Sequence, residues 1–159
     1  MPDPIYVVCN PQAGRGRGRR LLPALLEALR GHGLEVEHGQ TRAAGEEAAL
    51  AAEAIARGHR TLAIMGGDGT WSNAAAAVIA SGQPVRVGLV PAGTGADLAR
   101  SFSIPRDMEG CARVLAGGHT RAIDAGLVEG RPFLNVAGFG YDVAVIEDTR
   151  RVSSMTATS

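Results

Sequence analysis

The residues best suited to chemistry form one short stretch, Met65-Gly66-Gly67-Asp68-Gly69-Thr70. Its three glycines allow a sharp turn and let a ligand approach the backbone closely. The apolar run at residues 61–65 predicts a buried strand before the turn, and the alanine-rich residues 71–79 predict a helix after it. A helix that begins directly after such a turn offers unpaired N–H groups and a partial positive charge, which suit a phosphate.

Asp68 lies in the middle of this stretch. A carboxylate beside a phosphate has a chemical use if it holds Mg²⁺ or takes a proton from an attacking hydroxyl group. Asp68 is therefore the candidate metal ligand and the candidate catalytic residue. The structural alternative is a plain strand-to-helix turn in which Asp68 only caps the helix.

A second glycine-rich stretch, Pro91-Ala92-Gly93-Thr94-Gly95-Ala96-Asp97, follows the predicted strand at residues 85–90. We name residues 66–70 the first turn and residues 91–97 the second turn. Loops at the carboxyl ends of the strands line one edge of an open parallel sheet, where ligands bind. Two turns that each carry Asp and Thr are harder to explain by chance than one, and we expect both to meet at one crevice.

The elements that must position these turns are short apolar strands alternating with amphipathic helices. We predict further strands at residues 5–9, 34–38, 120–128 and 133–137, and further helices at residues 46–57 and 105–117. A helix also carries Leu22, Leu25 and Leu29 on one face, and we expect it to start around Arg20 to Leu22. Because proline is tolerated only near a helix start, Pro23 indicates that the helix begins shortly before it.

The loop at residues 10–18 joins the first predicted strand to this helix and contains spaced glycines. It fits a phosphate loop better than a dinucleotide fingerprint, because Arg19 stands where the third glycine is needed. Its arginines either meet polyphosphate or anionic lipid headgroups or form a solvated cluster: Arg15, Arg17, Arg19 and Arg20.

Composition narrows the classes of function. A chain of 159 residues with 45% hydrophobic content is enough for one domain with a real core. The net charge is zero, so no overall field attracts nucleic acid, and no nucleic-acid partner is expected. All sixteen basic residues are arginine, which excludes a Walker A loop because that loop needs its lysine. We expect a cytoplasmic protein without a transmembrane segment.

Three motifs in this order and spacing resemble the diacylglycerol kinase catalytic domain. They are Asn10-Pro11 with Ala13-Gly14-Arg15-Gly16, the first turn, and the second turn continued through Leu98-Ala99-Arg100. This superfamily includes bacterial lipid kinases and sphingosine kinases, and it shares the first turn with NAD kinases. The resemblance covers about residues 4–147. It implies an α/β fold with a three-layer, Rossmann-like, doubly wound and mostly parallel sheet.

The resemblance also implies ATP- and Mg²⁺-dependent transfer of the γ-phosphoryl group to a lipid hydroxyl at the membrane surface. The residues it places against ATP or its metal are Asn10, Thr41, Gly66, Gly67, Asp68, Gly69, Thr70, Asn73, Gly93 and Thr94. Asp68 would hold Mg²⁺, and Asp97 would face the acceptor headgroup. Such transfer requires mainly positioning and charge neutralisation.

The sequence departs from the family pattern at two sets of residues and in the shortened second domain. Ser72-Asn73 stand where the family often has Asn-Glu, and Ala96 stands where an Asn is usual. We predict a nucleotide-binding domain at residues 1–132, the start of a shortened second β domain at 133–148 and a frayed tail at 149–159. The missing part of the second domain, or a second copy of the chain, is then the expected protein partner.

Two other functions remain open from the sequence. One is a NAD kinase-like phosphotransferase that acts on a soluble acceptor, and the other is a non-catalytic nucleotide-binding module. The Asn-Pro-x-Ala-Gly loop and the second turn favour the lipid kinase over the NAD kinase. The shortened second domain favours the binding module.

Overall fold

The computed structural model describes residues 3–134, which form a four-stranded parallel sheet with helices on both faces. The strands are β1 (Ile5–Cys9), β2 (Val36–Gln40), β3 (Thr61–Gly66) and β4 (Arg86–Pro91). The helices are α1 (Ala13–Gly31), α2 (Glu47–Ala56), α3 (Asp68–Ser81), α4 (Asp97–Ser101) and α5 (Met108–Gly117). None of the helices described combines the length and the apolar character that a membrane span requires.

The three layers follow from the alternation of side chains along β1, where all five residues are buried. Ile5, Val7 and Cys9 belong to the core under α1 and α5. Tyr6 and Val8 belong to the core under α2, α3 and α4. A strand covered on both faces is continuously apolar rather than alternating. The predicted three-layer, doubly wound, parallel architecture is therefore confirmed.

The strand order β2-β1-β3-β4 explains where a site can form. The chain passes from β1 to β2 on one side and then returns to place β3 on the other side of β1. Such a reversal opens a crevice beyond the carboxyl ends of the strands. The register pairs Cys9 with Met65 and Gly66 with Pro91, so the loops that follow β1, β3 and β4 emerge together.

The predicted start of α1 is wrong. The helix is continuous in its backbone angles from Arg17, after three residues, Gly14, Arg15 and Gly16, in left-handed conformation. Pro23 consequently lies inside the helix rather than at its start. It is exposed, so water can solvate the carbonyl group that loses its amide partner.

The predicted strand at residues 120–128 is also shorter in the structure. Only β5 (Gly126–Val128) forms, and it pairs with the antiparallel strand β6 (Arg131–Phe133). Residues 120–125 are exposed and irregular, because alternation makes a strand only where a neighbouring strand completes its hydrogen bonds. The chain turns at Glu129 and Gly130, which are both at positive φ. The strand predicted at residues 133–137 begins two residues earlier in the structure, at Arg131, because Arg131 already pairs with Val128. Residues 135–159, including most of the predicted second-domain segment and the whole tail, lie outside the described residues.

Candidate functional site

The first and second turns lie side by side at the carboxyl ends of β3 and β4. The carbonyl oxygen of Gly66 accepts hydrogen bonds from the backbone N–H groups of Ala92 at 2.8 Å and Gly93 at 3.0 Å. A Cβ atom at Gly93 would stand 2.9 Å from the Cα atom of Gly67, closer than side chains normally approach. Glycine therefore permits the backbone contact between the turns, and their expected meeting is confirmed.

The loop after β1 joins the same edge. A Cβ atom at Gly14 would stand 2.1 Å from the carbonyl oxygen of Ala92, and Gly14 has a φ of +59°. Both the space and the backbone angle at this position favour glycine. The adjacent Arg15 has a φ of 57° without being glycine, a conformation that costs about 1–2 kcal/mol. All three glycine-containing loops thus pack against one another.

Asp68 fastens the first turn to the second. Its Oδ2 atom accepts a hydrogen bond from the backbone N–H of Asp97 at 3.1 Å, and its Oδ1 atom accepts one from Leu98 at 3.0 Å. These are the first amides of α4, where unpaired donors are expected. Asp68 thus caps α4, whereas its own helix α3 has no side-chain cap. The Asp68 carboxylate therefore holds the start of α4 against the first turn.

The side chain of Asn10, the residue after β1, makes three hydrogen bonds. Its Nδ2 atom donates to Thr70 Oγ1 and to Glu47 Oε1, both at 3.2 Å, and its Oδ1 atom accepts from the backbone N–H of Gln12 at 3.0 Å. Thr70 is buried, and a Cβ atom at Gly66 would collide with its side chain. The structure therefore brings Asn10 and Thr70 together with the first turn.

Glu47 is the residue that sequence reasoning missed. It lies at the start of α2, its side chain is 2% exposed, and its Oε2 atom accepts a hydrogen bond from Asn73 Nδ2 at 3.2 Å. A signal existed in the sequence, because Glu47 precedes Ala51, Ala54 and Ile55 at helical spacing and so shares their buried face. Glu47 brings a carboxylate to Asn73, where the family pattern led us to expect an acidic residue on α3.

A pocket of about 540 Å³ opens between the ends of β1 and β2. Its size is in the range of small-molecule sites. It is lined by Asn10, Pro11, Gln12, Arg19, Gln40, Thr41, Arg42, Ala43 and Ala44. Thr41 is buried, and its backbone N–H donates to the carbonyl oxygen of Cys9 at 2.9 Å. The two glycine turns do not line this pocket, and Asn10 connects it to them through Thr70.

The remaining predicted residues lie at the exposed rim of the turns. Thr94 and Asp97 are exposed, and the Asp97 carboxylate forms an ion pair of 2.9 Å with Arg100 on the surface of α4. Gly69 is exposed as well, and a Cβ atom there would meet nothing within 4 Å. The start of α3 is therefore open to a ligand at this point.

The carboxylates at the two turns suit a hard cation only if a bound phosphate ligand completes its coordination shell. Within residues 3–134, no group of three or more His, Cys, Asp or Glu side chains is arranged to hold a metal ion. Mg²⁺ commonly binds through one or two carboxylates while water and substrate phosphates complete its shell. Asp68 beside the open start of α3 is compatible with that mode of binding.

Comparison with known proteins agrees with this geometry. The family model described as the diacylglycerol kinase catalytic domain matches residues 4–128. The chain is 27% identical to a diacylglycerol kinase of Staphylococcus carnosus and 30% identical to one of Staphylococcus epidermidis, each over 143 residues. These alignments cover 90% of this chain but 47% and 45% of the two relatives. The chain thus spans less than half the length of the relatives it matches.

A solved structure supports the fold. A diacylglycerol kinase of Bacillus anthracis strain Sterne superimposes with a TM-score of 0.74 at 22% sequence identity. The superposition covers 84% of this chain and 46% of that structure. The family match spans most of the described residues and contains all three loops that meet at the sheet edge. The chain therefore belongs to the diacylglycerol kinase catalytic domain family.

Proposed function

We propose that the chain is the ATP-binding part of a lipid kinase that transfers the γ-phosphoryl group of ATP to a lipid hydroxyl. The observation that carries this proposal is the direct backbone contact between the first and second turns. This contact brings the open start of α3 and the start of α4 to one place. The amides at the start of α3 suit phosphate oxygens, whereas the first two amides of α4 already donate to Asp68 and hold the second turn in place.

In this proposal the triphosphate lies against the first turn. The backbone N–H groups of Gly69 and Thr70 would donate to it, and the absence of a side chain at Gly69 leaves the space it needs. Asp68 would hold Mg²⁺ beside these phosphates, because a carboxylate is the side chain through which Mg²⁺ commonly binds. Bound Mg²⁺ would neutralise phosphate charge during the transfer.

The pocket between β1 and β2 is assigned to the same nucleotide. Asn10 lines the pocket and also hydrogen-bonds Thr70 of the first turn, which makes the two regions continuous. Arg19 and Arg42 line it too, and their guanidinium groups suit phosphate oxygens. Thr41 lies beside them at the end of β2.

The acceptor lipid would approach from the exposed rim of the second turn. We assign Asp97 to the lipid headgroup because Asp97 is exposed and its backbone N–H donates to Asp68 across the contact between the turns. The relatives are more than twice as long as the matched region, so we assign the rest of the lipid site to a second domain or a second copy of the chain. The printed names of the relatives make diacylglycerol the first lipid to test.

A non-catalytic nucleotide-binding module is the second candidate. The observation that favours it is the engagement of both Asp68 carboxylate oxygens by α4, which is what a structural brace requires. Such a module would bind ATP without passing the phosphoryl group to an acceptor.

Two measurements on the same protein test the proposal. Equilibrium titration with ATP in the presence and absence of Mg²⁺ is expected to show binding that Mg²⁺ strengthens. Incubation with γ-labelled ATP and vesicles containing diacylglycerol is expected to label the lipid, with sphingosine and NAD as comparison acceptors. Absence of ATP binding would contradict the proposal, labelled NAD would indicate the NAD kinase-like reaction, and binding without transfer would favour the module.

A further inference from the structure

We propose that Glu47 is a positioning residue, whose buried carboxylate fixes the side-chain amides of Asn10 and Asn73 for nucleotide binding. The link to the nucleotide rests on the proposed function. The orientation of the amides rests on the hydrogen bonds alone. The two parts can therefore be tested separately.

The hydrogen bonds leave the amides one orientation. Oε1 of Glu47 accepts from Asn10 Nδ2 and Oε2 accepts from Asn73 Nδ2, each at 3.2 Å. An ionised carboxylate only accepts, so both asparagines must turn their NH₂ groups toward it. The Oδ1 atom of Asn10 then points to the N–H of Gln12, at 3.0 Å. A neutral amide at position 47 could not accept from both asparagines in this way, because it has one oxygen.

The burial of Glu47 makes this arrangement costly unless it is fully satisfied. Its side chain is 2% exposed, and no ion pair with Glu47 occurs among residues 3–134. A buried carboxylate must be stabilised by hydrogen bonds or by nearby positive charge. Glu47 has two amide donors and lies in the first turn of α2, where the helix dipole favours a negative charge.

The location of the network connects three elements of the proposed site. Asn10 follows β1 and lines the pocket, Asn73 lies on α3 after the first turn, and Glu47 joins them from α2. Asn10 also donates to Thr70, so its orientation reaches the first turn. If a glutamine replaces Glu47, one asparagine must rotate its amide, and the donors and acceptors offered to the nucleotide change.

The test is a double-mutant cycle on this chain. Glu47→Gln is expected to weaken Mg·ATP binding about tenfold, the effect of roughly one lost charged hydrogen bond. Asn73→Asp alone places two carboxylates together and is expected to weaken folding and binding. The double variant E47Q/N73D moves the carboxylate to α3, and the glutamine can then donate to position 73 and accept from Asn10. Its free energy of unfolding, measured by urea denaturation, is expected to exceed that of Asn73→Asp, because two carboxylates no longer meet.

A second readout does not depend on the nucleotide. In ¹⁵N-labelled protein, the side-chain NH₂ signals of Asn10 are expected to move in Glu47→Gln and to return in the double variant. Glu53→Gln is the matched control, because it makes the same chemical change at an exposed position of α2. It is expected to leave binding and the Asn10 signals unchanged.

The outcomes separate this inference from the proposed function. Unchanged Asn10 signals and unchanged affinity in Glu47→Gln would overturn the positioning role while ATP binding stands. A double variant that is no more stable than Asn73→Asp would overturn it as well, and this comparison holds even if Glu47→Gln alone fails to fold. If the original chain binds no ATP, the proposed function fails, and the Asn10 signals still decide whether Glu47 positions the amide.

Discussion

Asp68 shows how one side chain can serve both structure and chemistry. Its two oxygens cap the start of α4 across the contact between the turns. The same carboxylate stands beside the open start of α3, where the proposed Mg²⁺ and phosphates would lie. The two roles predict different consequences when the side chain is removed, so they can be measured separately.

Replacing Asp68 with alanine is expected to abolish phosphoryl transfer and to lower the free energy of unfolding by about 1 kcal/mol, the usual cost of a lost helix cap. Urea denaturation measures the stability, and the labelled-ATP assay measures the transfer. Asp68→Asn keeps the shape and one accepting oxygen, so it should recover part of the stability but not the transfer. Retained transfer in Asp68→Ala would remove Asp68 from the proposed metal or proton role.

A substitution at Gly69 separates folding from ligand binding. Gly69→Ala is expected to stabilise the fold by about 0.5–1 kcal/mol, because alanine restricts the unfolded chain and meets no neighbour here. The same methyl group should weaken ATP binding, since it enters the space assigned to the phosphates. Thermal unfolding and ATP titration measure the two effects.

Gly31→Ala is the matched control for this experiment. Gly31 ends α1, and a Cβ atom there also meets nothing within 4 Å. It should gain similar stability without any change in ATP affinity. Equal ATP affinity in Gly69→Ala and Gly31→Ala would place the phosphates away from the first turn.

At the scale of residues, the sequence was sufficient to predict the two turns but not the buried carboxylate that supports their neighbours. Asn10, Thr70 and Asn73 were predicted as site residues, and the structure brings them together. Glu47 was predicted only as part of the helix at residues 46–57. Its partners lie 37 and 26 positions away in the chain, so no local pattern records the contact.

At the scale of elements, α1 contains the clearest conflict between local preference and fold. Leu22, Leu25, Leu26 and Leu29 are all buried on one face of α1, so tertiary packing holds the helix. Pro23 lies between them on the exposed side. Packing energy outweighs the local cost of proline, which is why the position of Pro23 misled the prediction of the helix start.

Pro23→Ala is expected to stabilise the protein by about 1–3 kcal/mol, because alanine restores the missing N–H donor and removes the clash with the preceding turn. The urea midpoint measures the change. Ala24, the next exposed position, offers the reverse control, since Ala24→Pro should destabilise the helix. A Pro23→Ala variant that is no more stable would mean that the helix has adapted fully to proline.

The ends of the elements show where sequence patterns stop being informative. Residues 61–65 were predicted as a strand, and β3 extends to Gly66 because Gly66 pairs with Pro91 across the sheet. Residues 120–125 were also predicted as part of a strand, from an alternating pattern, but form none. The difference lies in the neighbouring strand, which the local sequence does not specify.

At the scale of the whole molecule, the core under α1 and α5 encloses both cysteines. Burial raises the pKa of Cys9 to about 11, and burial together with the Asp107 charge raises the pKa of Cys111 to about 11. In the unfolded chain these thiols titrate near the ordinary value of 9.0. The folded protein therefore binds more protons than the unfolded chain between these two values.

The contribution of these two thiols to the free energy of unfolding is accordingly expected to be fully present below pH 9.0 and to be lost as the pH rises to about 11. Urea denaturation across that range measures the decline. The double variant Cys9→Ala, Cys111→Ala should show a shallower decline. The decline that remains in this variant should come from Tyr6, whose pKa is raised from 10.0, mainly by burial. Equal slopes in both proteins would contradict the assignment to the thiols.

The overall architecture was predictable because its causes are repeated along the chain. Strands such as β1 are apolar at every position, which is typical of a sheet covered on both faces. The order of the strands and the exact packing of the loops are set by contacts between distant residues, such as Gly14 with Ala92. The resemblance of the motifs gave the expected topology, and the family match agrees with it.

The central claim is that the first and second turns hold one triphosphate together. The most direct test is a titration of the ¹⁵N-labelled chain with Mg·ATP, following the backbone amide signals of Gly67 and Gly93. The account predicts that both signals move along one shared binding curve. It would be contradicted if ATP binds while the signals of one turn, or of both turns, stay in place.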